Sequence, residues 1–262
     1  MFLRNLYLRL VPIINVFTMG HRMQYKETLW RSPKVTSKLD GFTIALVTDS
    51  HDISAKALKR VVTRLNARKT DVLLLGGDFS MDDPETTLEI LGRAQTAYGV
   101  FGVEGNHDEH MRLFAAMQAN NITPLSNNGV NIKPGLDLAG VEDLWNRNPD
   151  VALALAKAAT GDVTVLLCHN PDVAMLQDTS KVDIMLCGHN HGGQATFFGL
   201  WAPALWPFSG ITRYGHKFKS GWVKAPYNTD VFVSNGIGSS KYKPRIFARP
   251  QVAFITLKYH EG

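Results

Sequence analysis

Cysteine is scarce in this sequence, with only Cys168 and Cys187 among 262 residues. Two cysteines without Cys-x-x-Cys spacing exclude a disulfide-stapled scaffold and a cysteine-rich zinc module. Each of them follows an apolar run, which favours buried and reduced thiols. The sequence therefore indicates a protein of a reducing compartment, and we expect it in the cytoplasm.

Long hydrophobic runs are also missing. Residues 1–19 are largely apolar, but Arg4, Arg9 and Pro12 interrupt them before they reach the ~18 apolar residues that a spanning helix needs. Neither a paired-arginine export motif nor a clear cleavage site follows. We expect residues 1–38 to form a basic amphipathic segment that precedes a domain over residues 39–262. If this segment binds a membrane, we expect it on the cytoplasmic face of the inner membrane. A buried or disordered leader is the alternative.

Acidic residues are scarce towards both ends. Residues 1–38 carry a net charge of +6 and residues 213–262 a net charge of +7, so the total of +5 leaves −8 for the middle of the chain. This distribution fits an aspartate-rich cation site inside a basic frame, or equally a scatter of solvated surface charge. The basic ends contain no recognisable nucleic-acid module, and we expect no specific nucleic-acid partner.

Short apolar runs alternate with amphipathic stretches along most of the chain, which is typical of an α/β fold. A two-layered mixed β-sheet core, a β-sandwich flanked by helices, is the fold that we expect. One helix is predicted to follow the cap residue Ser54, with Leu58, Val61, Val62 and Leu65 on one face, and others run from Pro84 to about Ala97 and from Pro149 to about Ala159. Strands are predicted over residues 42–48, 72–75, 100–103, 163–167, 184–186, 231–233 and 252–257.

Polar clusters follow five of these predicted strands. Ligand sites in open α/β sheets lie at the carboxyl ends of strands, so the clusters are expected to meet at one edge. Each cluster alone is common, and Gly-Asp or Asn-His in a loop is usually turn chemistry. Together, and in this order, they indicate a shared site. They are Asp49-x-His51, Gly77-Asp78, Gly105-Asn106-His107-Asp108, His169 and Gly188-His189-x-His191.

These five blocks resemble the pattern of the calcineurin-like metallophosphoesterases, with no ligand substituted between residues 49 and 191. The resemblance implies the metallophosphoesterase fold and two divalent metal ions. One ion would be held by Asp49, His51, Asp78 and His191. The other would be held by Asp78, Asn106, His169 and His189, with the carboxylate of Asp78 bridging the two.

Metal chemistry accounts for these residue types independently of the family. Two cations ~3.5–4 Å apart need a bridging anion, and together they can turn a bridging water into a hydroxide nucleophile near neutral pH. Neutral His and Asn ligands complete the coordination of each ion without adding negative charge, so the ions remain electrophilic towards phosphate oxygens. Mn²⁺, Fe²⁺ and Zn²⁺ all accept mixed nitrogen and oxygen ligands, and we favour Mn²⁺.

His107 lies beside the ligand Asn106 but outside both predicted shells. The family resemblance implies that this imidazole faces the leaving group, where it could protonate a departing alkoxide. Asp108 is expected to orient His107 through its second ring nitrogen. Both residues are therefore predicted to be catalytic.

The C-terminal third is similar to a narrower branch, the bacterial membrane-associated phosphodiesterases. The similarity rests on Gly192-Gly193-Gln194, Arg213-Tyr214-x-x-Lys217, Gly236-Ile-Gly238 and Ala248-Arg249-Pro250. It implies substrate binding by Arg213, Tyr214 and Lys217. Some members of this branch cleave the pyrophosphate of UDP-2,3-diacylglucosamine.

The loop from Trp201 to Phe208 carries three large aromatic side chains directly after the metal motif. Such a loop meets acyl chains, a membrane or the core of the protein itself. The favoured substrate is therefore a phosphate ester that is lipid-linked, such as UDP-2,3-diacylglucosamine. A soluble cyclic-nucleotide or general phosphodiesterase, a nuclease and a non-catalytic scaffold are the alternatives.

Overall fold

In the described part of the chain, two six-stranded mixed sheets lie face to face around a shared core. The computed structural model describes residues 10, 13, 22–51, 53–80, 82–156, 158, 161–206, 210–239 and 244–261. The fold expected from the sequence, a two-layered β core flanked by helices, is confirmed. Within the described residues no helix has the length and apolar character that crossing a bilayer requires.

The first sheet has the strand order β1-β12-β2-β3-β4-β5. β2 to β5 run parallel to one another, whereas β12 is antiparallel to β2 and parallel to β1. The strands are β1 (Gln24–Ser32), β2 (Thr43–Val47), β3 (Val72–Leu75), β4 (Val100–Gly102), β5 (Ile122–Pro124) and β12 (Gln251–Tyr259).

The second sheet has the strand order β10-β11-β9-β8-β7-β6, with parallel pairing from β11 to β7 and antiparallel strands at both edges. Its strands are β6 (Asn128–Lys133), β7 (Leu136–Gly140), β8 (Val163–Leu167), β9 (Ile184–Cys187), β10 (Gly221–Lys224) and β11 (Asp230–Val233). The carboxyl ends of β8 and β9 therefore lie side by side, as those of β2, β3 and β4 do in the first sheet.

Successive side chains of a strand point to opposite faces, and this alternation builds both layers of the core. Ile44 and Leu46 of β2 pack between the sheets against residues such as Val165 of β8. Ala45 and Val47 of the same strand face the other way, against helices. Because both faces of the central strands are covered, their sequences are continuous apolar runs.

The helices cover the outer faces of the sheets. They are α1 (Ala55–Arg68), α2 (Pro84–Leu91), α3 (His110–Ala119), α4 (Val151–Ala156) and α5 (Val173–Leu176). Ser54 caps α1 through its side-chain oxygen, as the sequence predicts. α2 ends earlier than the predicted Ala97, because the chain leaves the helix after the C-cap residue Gly92.

The N-terminal boundary differs from the predicted one. β1 lies inside the segment 1–38, yet it pairs along its whole length with β12 at the edge of the first sheet. Trp30 of β1 is buried in the inter-sheet core and donates a hydrogen bond from Nε1 to Asp230 at 2.9 Å. The sheet therefore includes Gln24–Ser32 of this segment, and most of the segment before Gln24 lies outside the described residues.

Candidate metal centre

All seven predicted metal ligands lie at the facing carboxyl ends of the two sheets. Asp49 and His51 follow β2, Asp78 follows β3 and Asn106 follows β4. His169 follows β8, and His189 and His191 follow β9. The five sequence clusters therefore meet because parallel strands end together at one edge.

Sharp turns of the backbone direct these side chains towards one another. Five of the seven have a positive φ: Asp49, His51, Asp78, His189 and His191. Residues other than glycine adopt this conformation at a cost of about 1–3 kcal/mol, and such residues cluster at functional sites. The backbone at these strand ends therefore adopts costly dihedral angles that position the side chains of the site.

A first group of possible ligands comprises Asp49, His51 and His191, all buried. The Nε2 atoms of His51 and His191 lie 3.0 Å apart. His191 Nε2 is also 3.4 Å from Asp49 Oδ1, and His51 Nε2 is 3.6 Å from Asp78 Oδ2. This grouping agrees with the ligand set expected for one ion.

A second group forms around Asp78, Asn106 and His169. His169 Nε2 lies 3.4 Å from Asp78 Oδ2 and 3.1 Å from Asn106 Oδ1. His189 Nδ1 approaches the same Asn106 oxygen at 2.9 Å. Asp78 Oδ2 thus lies within 4 Å of a histidine from each group, which is the position that a bridging carboxylate requires.

Backbone carbonyls fix the ring orientation of two of these histidines. His169 donates from Nδ1 to the carbonyl of Gly76 at 2.7 Å, and His189 donates from Nε2 to the carbonyl of Ile211 at 2.8 Å. In the neutral form of each ring, the other nitrogen carries a lone pair that faces the Asn106 oxygen. Converging lone pairs without a proton between them suit a cation, and histidine ligands are usually held by such a second hydrogen bond. The residues present therefore fit divalent metal ions.

The electrostatics of the site favour an ionised Asp78 and the neutral forms of His51 and His189, whereas the Asp78 charge favours the protonated form of His169. Burial lowers the pKa of His51 and His189 below the usual histidine value. Burial by itself also lowers the pKa of His169, but the adjacent Asp78 carboxylate overrides it and the pKa is raised. Burial opposes ionisation of Asp78, but the His169 charge prevails and lowers its pKa. Neutral imidazole is the form of histidine that binds metals.

Arg245 is a buried component of the site that sequence reasoning missed. Its guanidinium donates to the carbonyls of Gly238, Ala248 and Asn235, and Nη2 lies 3.1 Å from Nδ1 of His191. Burial, followed by the charge of Arg245, lowers the pKa of His191 well below its usual value. A single arginine in a basic loop carries no sequence signal for this position.

Asp108 has a different contact from the predicted one. Instead of bonding to the His107 ring, its carboxylate accepts three backbone hydrogen bonds: from Asp78 at 2.7 Å, Phe79 at 3.0 Å and Gly105 at 2.8 Å. Among the described residues no hydrogen bond joins Asp108 to the His107 ring, and the carboxylate instead ties the loop after β4 to the loop after β3.

His107 lies at the opening of the site. Its side chain is exposed and lines the same cavity as His51, Asp78, Asn106 and His189, with its ring centre 5.7 Å from that of His51. The backbone N–H of His107 donates to Asp78 Oδ1 at 2.9 Å. The ring is thus beside the ligand groups, in contact with the space where a substrate would enter.

The three predicted substrate-binding residues lie outside this cavity. Among the described residues, Ile211, Ala204 and Trp145 line it, whereas Arg213, Tyr214 and Lys217 do not. Arg213 and Lys217 are exposed, and Lys217 Nζ contacts the sulfur of Met175 at 3.3 Å. Tyr214 is half-buried against Phe218.

The chain matches the family model described as calcineurin-like phosphoesterase over residues 42–193. This range contains all seven predicted ligands together with His107 and Asp108, and the family resemblance noted in the sequence is confirmed.

Several curated proteins are similar to most of the chain. An uncharacterized metallophosphoesterase of Helicobacter pylori is 29% identical over 252 residues, which cover 90% of this chain and 64% of that protein. The uncharacterized metallophosphoesterase YkuE of Bacillus subtilis is 26% identical, with 91% of this chain and 86% of that protein covered. A zebrafish (Danio rerio) protein described as a transmembrane protein with metallophosphoesterase domain is 26% identical over 86% of this chain and 55% of its own length.

Among solved structures, a dimetal phosphatase from Danio rerio has a TM-score of 0.46 at 12% identity, with 75% of this chain and 88% of that chain covered. A likeness at this level carries no argument about activity.

Proposed function

This chain belongs to the calcineurin-like phosphoesterase family of metal-dependent phosphoester hydrolases, and we propose that it cleaves a phosphodiester or pyrophosphate bond at a dinuclear centre. The observation that carries the proposal is the convergence of the seven candidate ligand side chains from both sheets, with Asp78 near histidines of both groups. Two bound divalent ions, for which we favour Mn²⁺, would supply Lewis acidity and lower the pKa of a water molecule.

Individual residues have different proposed roles at such a centre. Asp49, His51 and His191 are proposed to hold one ion, and Asn106, His169 and His189 the other, with Asp78 shared. The carbonyls of Gly76 and Ile211 keep the rings of His169 and His189 in the orientation that ligation needs. His107 is proposed to give a proton to the leaving oxygen, because its exposed ring faces the cavity beside the ligands.

We propose a lipid-linked phosphate ester, such as UDP-2,3-diacylglucosamine, as the substrate class. Exposed aromatic side chains near the cavity and the basic C-terminal third support it. Arg213, Tyr214 and Lys217 would then meet a distal part of a long substrate, since they lie just beyond Ile211 in the chain but outside the cavity. A second phosphate is the group that Arg and Lys bind best.

The activity test uses the full-length protein, stripped of metals and reloaded with Mn²⁺. Hydrolysis of bis(p-nitrophenyl) phosphate is expected to depend on the metal, and Asp78→Asn and His191→Ala are expected to abolish both turnover and metal binding by calorimetry. Asp178→Asn and His260→Ala are matched controls at exposed positions outside the site. Undiminished metal-dependent turnover in the Asp78 variant would overturn the two-ion assignment.

The substrate test compares UDP-2,3-diacylglucosamine, a cyclic nucleotide and the generic diester under one set of conditions. A kcat/KM for the lipid-linked pyrophosphate well above that for the other two supports the proposed class. A preference for the cyclic nucleotide would contradict the lipid-linked substrate while leaving the metal chemistry intact.

A further inference from the structure

An exposed apolar surface lies beside the metal centre. The aromatic patch consists of Phe197, Phe198, Leu200, Trp201, Trp206 and Phe247. Leu200 is 78% exposed, Phe197 68% and Phe198 67%, although each is a large apolar side chain. Scattered exposed hydrophobic residues are ordinary, but a contiguous patch marks an interaction site.

The members of the aromatic patch touch one another. The rings of Phe197 and Phe198 are 4.9 Å apart between centres, Phe198 stacks on Phe247 at 5.3 Å, and Trp201 lies 6.4 Å from Trp206. Two segments that are distant in sequence, around residues 200 and 247, thus contribute to one apolar surface. They are joined at its base by the hydrogen bond from Thr196 N to the carbonyl of Ile246 at 2.9 Å.

The turn that presents the patch is held firmly. Phe197 N donates to the carbonyl of Trp201 at 2.7 Å, and Lys219 Nζ donates to the carbonyl of Leu200 at 2.9 Å. Phe198 and Phe247 both have a positive φ, which is costly for bulky residues and persists only where the surroundings impose it. The rings are therefore held outwards by the fold.

The patch adjoins the entrance of the catalytic cavity. Ala204, between Trp201 and Trp206, lines that cavity together with Gly193 and His189. Gly193 packs so closely against Ala202 that an added Cβ would lie 2.3 Å from the Ala202 Cβ. The loop of the patch and the metal-binding turn are therefore in direct contact.

The segment that carries the patch is basic in sequence. Residues 195–249 contain eight Lys and Arg and one acidic residue, Asp230; of the cations, Arg245 is buried beside His191 and Lys224 is paired with Asp230. Arg213 and Lys217 are exposed in the segment that follows the loop. Protruding Trp, Phe and Leu side chains with neighbouring cations match the interface of an anionic bilayer, where rings enter the acyl boundary and cations meet headgroups.

We propose that the aromatic patch docks the protein on an anionic phospholipid bilayer and holds the mouth of the metal centre at the lipid surface. The benefit of such docking rests on the proposed function: a site held at the bilayer reaches the phosphates of lipid-linked substrates without extracting those substrates from the membrane. The docking itself does not depend on turnover. Its occupant is a lipid surface, and a second copy of the chain or a protein partner is the competing outcome.

The test measures co-sedimentation of the full chain with vesicles of phosphatidylethanolamine and phosphatidylglycerol in the presence of EDTA. Phe197→Ser/Leu200→Ser is expected to weaken binding about tenfold or more, since two exposed apolar anchors are lost. Leu29→Ser/Leu153→Ser, at exposed positions elsewhere, is the matched control and should bind as the unaltered chain does. Circular dichroism checks that both variants are folded.

Insertion is read directly from quenching by brominated lipids. The unaltered chain is expected to lose tryptophan fluorescence, and Trp201→Phe/Trp206→Phe to lose most of that quenching. Equal vesicle binding by the Phe197/Leu200 variant would overturn the proposal and assign binding to residues outside the patch. Failure to bind vesicles, with self-association that the same variant abolishes, would overturn it in favour of a second copy. Since EDTA prevents turnover, none of these outcomes depends on the proposed hydrolysis.

Discussion

Asn106 and His107 are neighbours in the chain, but the structure gives them different surroundings. The Asn106 oxygen lies among the nitrogens of His169 and His189, whereas the His107 ring is exposed at the cavity. The proposed roles of metal ligand and proton donor can therefore be separated by mutation, even at adjacent positions.

His107→Ala is expected to keep both metal ions and lose turnover by about 10²- to 10⁴-fold, the usual contribution of general acid catalysis. The loss should grow as the pKa of the leaving alcohol rises, because a poor leaving group needs the proton more. Metal content by mass spectrometry and kcat over a series of aryl and alkyl diesters measure the two effects. A uniform loss over that series would contradict the role of proton donor.

Asp108→Asn tests the contact that the structure shows against the one predicted from the sequence. In the unaltered chain three backbone N–H groups donate to the Asp108 carboxylate, and the Asn amide would place its own N–H donors against some of them. The free energy of unfolding should therefore fall by about 2–4 kcal/mol. Metal affinity should fall with it, since these bonds hold the loop of Asp78. Urea unfolding and calorimetry measure both. Normal stability with an altered leaving-group dependence would instead support contact with His107.

At the residue scale, the sequence identified the candidate ligands but not the hydrogen bonds that hold the surrounding loops and rings. The candidates could be identified because each stands after an apolar strand, in a recognisable order. Arg245 could not be found, because its role arises from carbonyls at Gly238, Ala248 and Asn235 that come together only in the fold. The Asp108 contact also depends on backbone N–H groups of another loop, which residue type does not reveal.

The loops after β3 and β4 approach each other so closely that only glycine fits at position 77. Gly77 has a φ of +87°, and an added Cβ would lie 2.5 Å from the backbone nitrogen of Gly105. This approach places Asp78 next to the Asn106 loop, so the geometry of the metal centre depends on a backbone contact between two elements.

Gly77→Ala is therefore expected to lose metal binding as well as stability. Gly41→Ala is a matched control, because Gly41 has a similar φ of +85° but nothing within 4 Å of an added Cβ. The control should cost only the dihedral strain, about 1–2 kcal/mol, and bind Mn²⁺ normally. Thermal unfolding and calorimetry compare the two variants. Equal effects on both measurements would show that the contact with Gly105 is unimportant.

The central strands were predictable because their burial on both faces leaves continuous apolar runs, as in Thr43–Val47 and Val72–Leu75. β1 was missed because it lies at a sheet edge, and its sequence QYKETLWRS is largely polar and mostly half-buried, so it contains no continuous apolar run. Its pairing with β12 joins residues more than 200 positions apart. Only the fold brings such partners together.

The candidate metal centre lies where the two sheets meet, and its predicted ligands come from both. Asp49, Asp78 and Asn106 extend from the first sheet, and His169, His189 and His191 from the second. Bound ions would therefore link two layers that are otherwise held by apolar packing between the sheets. Ligand binding stabilises a folded protein in proportion to its affinity for the folded state.

Mn²⁺ at about 100 times its Kd is thus expected to raise the midpoint of thermal unfolding by about 5–10 °C, and EDTA to reverse the effect. Calorimetric scans measure the shift, and hydrogen exchange should show slower exchange in the loops after both β2–β4 and β8–β9. Asp78→Asn, which removes the shared carboxylate, should lose most of the shift, whereas the exposed control Asp178→Asn should keep it. Protection confined to the loops of one sheet would contradict a centre that spans both, because ions held by one layer alone would leave the other unprotected.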